Sequence, residues 1–186
     1  MAPIPERIIT PRLLVRCWQP DDAPALRAAI DASLPQLREW LPWALGEPFP
    51  VEEVSRRLAE FRERFLAGED FAFGLFDPAS GAVLGGAGLH RRSAPDALEI
   101  GYWIRAGATG RGLATEAVEA LARAAFDHGV DRVEIRCDPR NTASVAVARR
   151  AGFRYLSTLE GDRTTPGGAP RDTVVWERRP ATSTSR

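Results

Sequence analysis

A glycine-rich turn between a strand-like and a helix-like segment is the part of the sequence best suited to chemistry. Residues 99–115 read Glu-Ile-Gly-Tyr-Trp-Ile-Arg-Ala-Gly-Ala-Thr-Gly-Arg-Gly-Leu-Ala-Thr. Gly107, Gly110 and Gly112 lack Cβ atoms, so backbone can come close to a ligand there. The helix that follows directs unpaired N–H groups and its positive dipole end at the same place. The segment therefore predicts an anion-binding site that suits a phosphate.

This turn matches neither of the two commonest phosphate motifs. It lacks the Gly-Lys-Ser/Thr ending of a P-loop and the Gly-x-Gly-x-x-Gly spacing of a dinucleotide-binding fold. A Gly-x-Gly sequence at a strand–helix junction also occurs as a purely structural turn. The choice between an anion-binding turn and a purely structural one therefore depends on the elements around it.

The first third of the chain predicts a strand followed by helices. Residues 12–18 have the pattern of a strand, and an acidic N-cap favours a helix from Ala23 to about Ile30. Residues 33–50 are irregular and rich in Trp and Pro, and Val51–Leu66 has the apolar spacing of an amphipathic helix.

The central part of the chain predicts a meander followed by a crossover. Residues 71–76, 82–90 and 97–104 read as three consecutive antiparallel strands. A helix over 112–128 and a strand over 130–137 follow the glycine turn. This strand–helix–strand unit requires the fourth and fifth predicted strands to be parallel and places the helix N-terminus beside the carboxyl end of the fourth.

The last part of the chain completes an α/β fold of mixed α+β type. A capped helix is predicted over 141–152, and strands over 153–159 and 172–178. We expect one domain over residues 1–180, with a mostly antiparallel mixed sheet and helices on both faces. We expect residues 181–186 to form a disordered tail.

Composition excludes several classes of function. Lys plus Arg and Asp plus Glu each number 25 in the 186 residues, so overall charge favours neither nucleic acid nor a membrane surface as a partner. The two cysteines, Cys17 and Cys137, and the two histidines indicate neither a disulfide framework nor a metal site. With no secretory signal and no stretch of about 18 apolar residues, the cytoplasm is the expected location.

Several motifs together resemble those of the GNAT acyl-CoA N-acyltransferases, in particular the RimJ/RimL-type branch. They are the opening Thr-Pro-Arg-Leu-Leu-Val-Arg, Trp-Leu-Pro-Trp around residue 42, Glu-Ile-Gly-Tyr-Trp-Ile, Gly-Arg-Gly-Leu-Ala-Thr-Glu-Ala, and the segment from Asn141 and Ser144 to Phe153. The resemblance covers residues 12–178. It implies a single GNAT domain whose parallel pair, strands 4 and 5, splays into a V.

The resemblance implies acetyl-CoA as cofactor and acyl donor. The family's pyrophosphate motif is matched at Gly112 and Ala114, whereas Thr109 replaces its first residue. Arg105 and Arg111 are candidates for pairing with phosphates, although Arg111 could equally be a solvated surface cation. The implied cofactor-binding residues are Tyr102, Trp103, Ile104, Arg105, Thr109, Gly110, Arg111, Gly112, Leu113, Ala114, Thr115, Asn141 and Ser144.

Glu99 is the implied base on the fourth strand. An amine attacks a thioester only as the free base, so a proton must be accepted either directly or through water. The alternative is that Glu99 is only a charged residue on an edge strand or an ion-pair partner.

Ser144 is the implied hydrogen-bond donor to the leaving thiolate. Many superfamily members carry a tyrosine on the helix that follows the fifth strand, and the matching residue here is Ala148. Ser144 could instead only support the first turn of its helix, for which Asn141 is the natural N-cap.

The resemblance to the RimJ/RimL-type branch implies that the acceptor is a primary amine, namely a protein or peptide N-terminus. Trp40 and Trp43 are candidates for the pocket wall or for a satellite core cluster. His90 is a candidate second base or a structural residue. A small amine acceptor and a non-catalytic acyl-CoA sensor remain alternatives, and the oligomeric state could be monomer or homodimer.

Overall fold

Eight strands form one sheet within the described residues of the computed structural model, which are 3–92, 97–165 and 168–180. The strands lie in the spatial order 1-2-3-4-5-6-8-7. In chain order they are β1 (Arg7–Ile9), β2 (Leu14–Cys17), β3 (Phe71–Phe76), β4 (Val83–His90), β5 (Ala97–Ile104), β6 (Arg132–Cys137), β7 (Arg154–Thr164) and β8 (Pro170–Arg178). The tail predicted over residues 181–186 lies outside the described residues.

Helices cover both faces of this sheet. One apolar cluster lies between the sheet and the last two helices, and a second lies between the sheet and the first three. The predicted α/β fold, with its mostly antiparallel sheet and helices on both faces, is confirmed. The helices are α1 (Ala23–Asp31), α2 (Leu34–Trp40), α3 (Val51–Leu66), α4 (Leu113–His128) and α5 (Thr142–Arg150).

The sheet opens into a V between β5 and β6, the parallel pair. Their pairing starts at Ala97 with Arg132 and ends at Glu99 with Glu134. Beyond that point β5 stays paired with β4 as far as Ile104, and β6 stays paired with β8 as far as Cys137. The predicted splayed pair is therefore present, and residues 100–104 of β5 have backbone groups that face no strand on the β6 side.

Three features of the chain differ from the prediction. A short strand, β1, comes before the strand predicted as the first, which is β2. The splayed strands are therefore the fifth and sixth rather than the fourth and fifth. Segment 33–50 contains α2, whose Pro35 lies in the first turn, where no intrahelical N–H is required. The hairpin β7–β8 extends to residues 164 and 170 because backbone pairing continues through polar residues that show no apolar alternation.

Candidate active site

The opening between β5 and β6 holds a cavity of about 540 Å³. Four walls surround it: the open half of β5, the turn before α4 together with its first residues, the end of β6 with the start of α5, and one side of α2. The residues from these walls include Gln36, Trp40, Tyr102, Ile104, Thr109, Gly110, Arg111, Gly112, Leu113, Ala114, Thr115, Cys137, Asp138, Asn141, Ser144 and Arg171. Most of the residues implied to bind the cofactor thus surround one cavity.

The glycine turn forms a cradle at the N-terminus of α4. Gly110 and Gly112 have φ angles of 73° and 77°, in the left-handed region that residues with a Cβ rarely adopt. Gly112 is the N-cap and supplies no capping side chain, so helix geometry leaves the first-turn amides available to a ligand. The buried Thr115 Oγ1 has no hydrogen-bond partner in the part of the chain that is described. These features suit phosphate oxygens.

An ion pair fastens this cradle to the N-terminal segment. The Nε of Arg12 donates to Glu116 Oε2 at 2.7 Å, and Arg12 Nη1 donates to the carbonyl of Arg111 at 2.6 Å. Burial raises the pKa of Glu116, but hydrogen bonds from Thr10 and Arg12 outweigh it and hold that pKa below its ordinary value. Glu116 is therefore ionised at neutral pH and fixes the turn.

The predicted cap of α5 is confirmed, and it leaves the hydroxyl of Ser144 for another contact. Asn141 Oδ1 accepts a hydrogen bond from the Ser144 N–H at 3.0 Å, which makes Asn141 the N-cap. The Ser144 Oγ lies 2.7 Å from the hydroxyl of Tyr102, which comes from β5 on the opposite side of the V. The two hydroxyls therefore meet across the opening.

Tyr102 places a phenol in the cavity that the sequence did not predict. Tyr102 was among the residues implied to bind the cofactor, but no role was predicted for its phenol, and Ala148 indicated that a tyrosine was missing. Burial raises the pKa of Tyr102 above its ordinary value near 10 and outweighs the opposing effect of its hydrogen bond with Ser144. The phenol thus stays protonated and can serve as a hydrogen-bond donor.

Glu99 lies at the closed end of the V, one residue before the first β5 residue that lines the cavity. Its carboxylate is 3.8 Å from Arg92 Nη1 and 3.9 Å from Arg136 Nε, and its side chain is 10% exposed. Arg136 also pairs with Glu134 at 3.0 Å. Glu99 itself lines neither cavity, so its contacts are those of an ion-pair partner, and the role of base stays a prediction.

The other predicted residues are divided between the cavity and its surroundings. Trp40 lines the cavity, whereas Trp43 is 44% exposed with its ring centroid 6.3 Å from that of Trp103. His90 lies outside the cavity and its Nδ1 is 2.7 Å from Asp70 Oδ1. Arg105 also lies outside it, and its backbone N–H donates to Leu84.

A second cavity of about 520 Å³ adjoins the first. The two share a wall that includes Trp40, Arg136, Asp138 and Arg171. Its other wall is formed by the β7–β8 hairpin and the chain that follows α2. Asp138 and Arg171 were not predicted from the sequence, because nothing in the local pattern indicates that β8 brings Arg171 to Asp138 at the end of β6.

Helix α2, also missed, is tied directly to the open strand. Gln36 Nε2 donates to the carbonyl of Ile104 at 2.8 Å, and the buried Ser33 Oγ accepts from the N–H of Ala106 at 3.0 Å. These bonds set α2 as a wall of the opening. The available signal was Ser33 followed by Pro35, a common helix-start combination.

An open strand edge beside a glycine-rich helix N-terminus is the arrangement of an acyl-CoA-dependent acetyltransferase. The chain belongs to the GNAT acetyltransferase family, since residues 12–154 match the family model described as "Acetyltransferase (GNAT) domain". Members of this family use acetyl-CoA. The family, the enzyme class and the acyl donor predicted from the sequence are therefore confirmed.

Individual relatives agree with this assignment. The chain is 32% identical over 108 residues to "Probable N-acetyltransferase YjcK" of Bacillus subtilis (strain 168), a match covering 56% of this chain and 60% of that relative. The match thus spans less than two thirds of that relative's length.

Solved structures share the fold over nearly the whole chain. A structure described as "Probable acetyltransferase" has a TM-score of 0.85 at 25% identity, covering 94% of this chain and 97% of the other. RimL, described as a ribosomal L7/L12 alpha-N-protein acetyltransferase in complex with coenzyme A, has a TM-score of 0.83 at 22% identity, covering 95% and 97%. The likeness to RimL shows the fold alone.

None of the helices in the described ranges is long and apolar enough to span a membrane.

Substitution of Gly112 by Ala should weaken coenzyme A binding about tenfold or more, because a Cβ at a φ of 77° strains the cradle. Gly68→Ala is the matched control: Gly68 has a φ of 73°, and a Cβ added there meets no atom within 4 Å. Both variants should lose about 1–2 kcal/mol of stability, whereas only Gly112→Ala should lose affinity. Isothermal titration calorimetry and thermal melts measure both quantities. Equal affinities for coenzyme A in the two variants would show that the cradle does not bind it.

Proposed function

We propose that this protein transfers the acetyl group of acetyl-CoA to a primary amine, and that the amine is the N-terminal α-amine of a protein or peptide. The observation that carries the proposal is the opening in the sheet, which has the glycine cradle on one side and a second cavity adjoining it. A donor and an acceptor could thus be bound together and react by direct attack. The N-acetyltransferase name of the Bacillus subtilis relative supports an amine acceptor.

The chain's own groups would hold and orient the donor. When bound, acetyl-CoA supplies an acetyl group activated as a thioester. The amides of residues 111–115 would bind its pyrophosphate, and Asn141 would bind its pantetheine arm. Backbone N–H groups on the open edge of residues 102–104 would donate to the thioester carbonyl oxygen as negative charge develops there, an effect that can lower a barrier by a few kcal/mol.

An N-terminal α-amine is easier to use as an acceptor than a lysine side chain, because more of it is already neutral near pH 7.5. With a pKa of about 7.8, roughly a third of α-amines are neutral at pH 7.5, against about one lysine in a thousand at a pKa of about 10.4. Only modest help in removing the proton is needed. Glu99, at the closed end of the V, would accept that proton directly or through water.

The paired hydroxyls of Tyr102 and Ser144 would stabilise the leaving thiolate. They lie 2.7 Å apart, so one can donate to the other while the second donates to sulfur. Neither ionises readily, since burial raises the pKa of Tyr102 and a serine hydroxyl is a very weak acid. Their contribution is therefore hydrogen bonding, with any transferred proton replaced from water.

A thiol-release assay tests the proposal directly. Acetyl-CoA is supplied with N-terminal peptides, the same peptides with a blocked N-terminus, free amino acids, polyamines and aminoglycosides. We expect turnover with free but not blocked peptides. Turnover of small amines alone would contradict the peptide acceptor and assign a small amine in its place. Coenzyme A binding without turnover of any amine would indicate a sensor.

Ser144→Ala should lower kcat in this assay about tenfold to a hundredfold while the Kd for coenzyme A stays within about threefold, because only the donor to sulfur is lost. The control is Ser55→Ala, which removes a serine hydroxyl from α3, away from both cavities. An unchanged kcat in Ser144→Ala would contradict the assigned role.

Glu99→Gln should lower kcat/KM on a peptide about tenfold or more at pH 7 and much less at pH 9, where the α-amine is already mostly neutral. Arg92→Gln removes an ion-pair partner of Glu99 but keeps the carboxylate, and it should show the wild-type pH profile. A loss of the same size at every pH would assign Glu99 a structural role instead.

A further inference from the structure

The second cavity is lined by more positive than negative side chains. Its charged residues come from the chain around α2, the end of β6 and the β7–β8 hairpin. They are Arg38, Arg136, Arg163, Arg171 and Asp138. Four arginines and one aspartate thus line the cavity, and this excess of positive charge favours an anion there.

Two of these arginines lie directly opposite each other on neighbouring strands. Arg163 of β7 is the register partner of Arg171 of β8, so the two side chains project from the same face of the hairpin. Like charges in this position destabilise a strand pair. Both side chains line the cavity, and Asp138 pairs with Arg171 at 2.8 Å, so an anion bound beside Arg163 would compensate the second charge of the pair.

The neighbouring carboxylates compensate these charges unevenly. Asp138, whose side chain is 1% exposed, accepts from Arg171 at 2.8 Å and from Arg140 at 2.7 Å. Hydrogen bonds from Arg140, opposed by burial, hold the pKa of Asp138 below its ordinary value, so it remains an anion that orients Arg171. Arg136 faces Glu134 and Glu99.

Arg163 and Arg38 are less compensated. Arg163 is 46% exposed and lies 3.9 Å from Asp162, a distance beyond direct hydrogen bonding. Arg38 donates to the backbone carbonyls of Ala44 and Glu47, which carry no formal charge. The hairpin side of the cavity therefore retains positive charge.

We propose that the second cavity receives an acceptor that carries a negatively charged group close to its amine. The inference rests on the proposed acetyl transfer and specifies its acceptor. The amine would lie at the wall shared by the two cavities, and the anionic group would lie toward Arg163 and Arg171. In a peptide this group is an acidic side chain soon after the N-terminus, and in a small acceptor it is a carboxylate.

The test compares acceptors that differ only in charge. One arm uses peptides with the same N-terminal residue followed by two Asp or two Asn residues, and the other uses a free amino acid and its amide. We expect kcat/KM for the acidic peptide to exceed that of the Asn peptide at least tenfold, with the preference shrinking as salt is raised toward 1 M. A preference confined to the amino-acid arm would assign the anion to a small acceptor.

Arg163→Gln should reduce this preference at least fivefold without destabilising the protein, because it removes one of two like charges. Arg123→Gln, an exposed change on α4, should leave the preference unchanged. Equal turnover of acidic and amide acceptors by the wild-type protein would overturn the inference while leaving acetyl transfer intact. Coenzyme A binding without transfer to any acceptor would overturn both.

Discussion

The short parallel pairing of β5 with β6 is the constraint on which the rest of the structure depends. It covers three residue pairs and ends at Glu99 and Glu134, while each strand continues on its outer partner. At the closed end, Arg136 lies between the two carboxylates. Alternating charges thus hold two acidic residues side by side at the point where the strands separate.

The other parts of the site are arranged around this opening. The crossover from β5 to β6 places the N-terminus of α4 at the open end, and the cap of α5 places Ser144 across from Tyr102. Helix α2 closes another side through Gln36. Backbone groups that a continuous sheet would satisfy internally are left for a ligand.

The local sequence pattern was enough to predict those elements whose conformation depends on adjacent residues. The glycine turn, the helix after it and the Asn141 cap could be predicted because left-handed φ angles, helix periodicity and capping each depend on adjacent residues. The contact of Tyr102 with Ser144 joins residues 42 positions apart, and the register of Arg163 with Arg171 depends on pairing within a polar hairpin. Neither leaves a local signal. Helix α2 was missed because seven residues are too few to show periodicity.

Amide hydrogen exchange with and without coenzyme A tests the central claim most directly, that the open half of β5 and the cradle of α4 bind the cofactor. We predict slower exchange on binding for amides of residues 113–115 and for those amides of residues 100–104 that point into the opening rather than toward β4. Residues 97–99 of the same strand, which already pair with residues 132–134 of β6, should change little. Protection that spares residues 100–104 and 113–115, or that is uniform over the whole chain, would contradict the account.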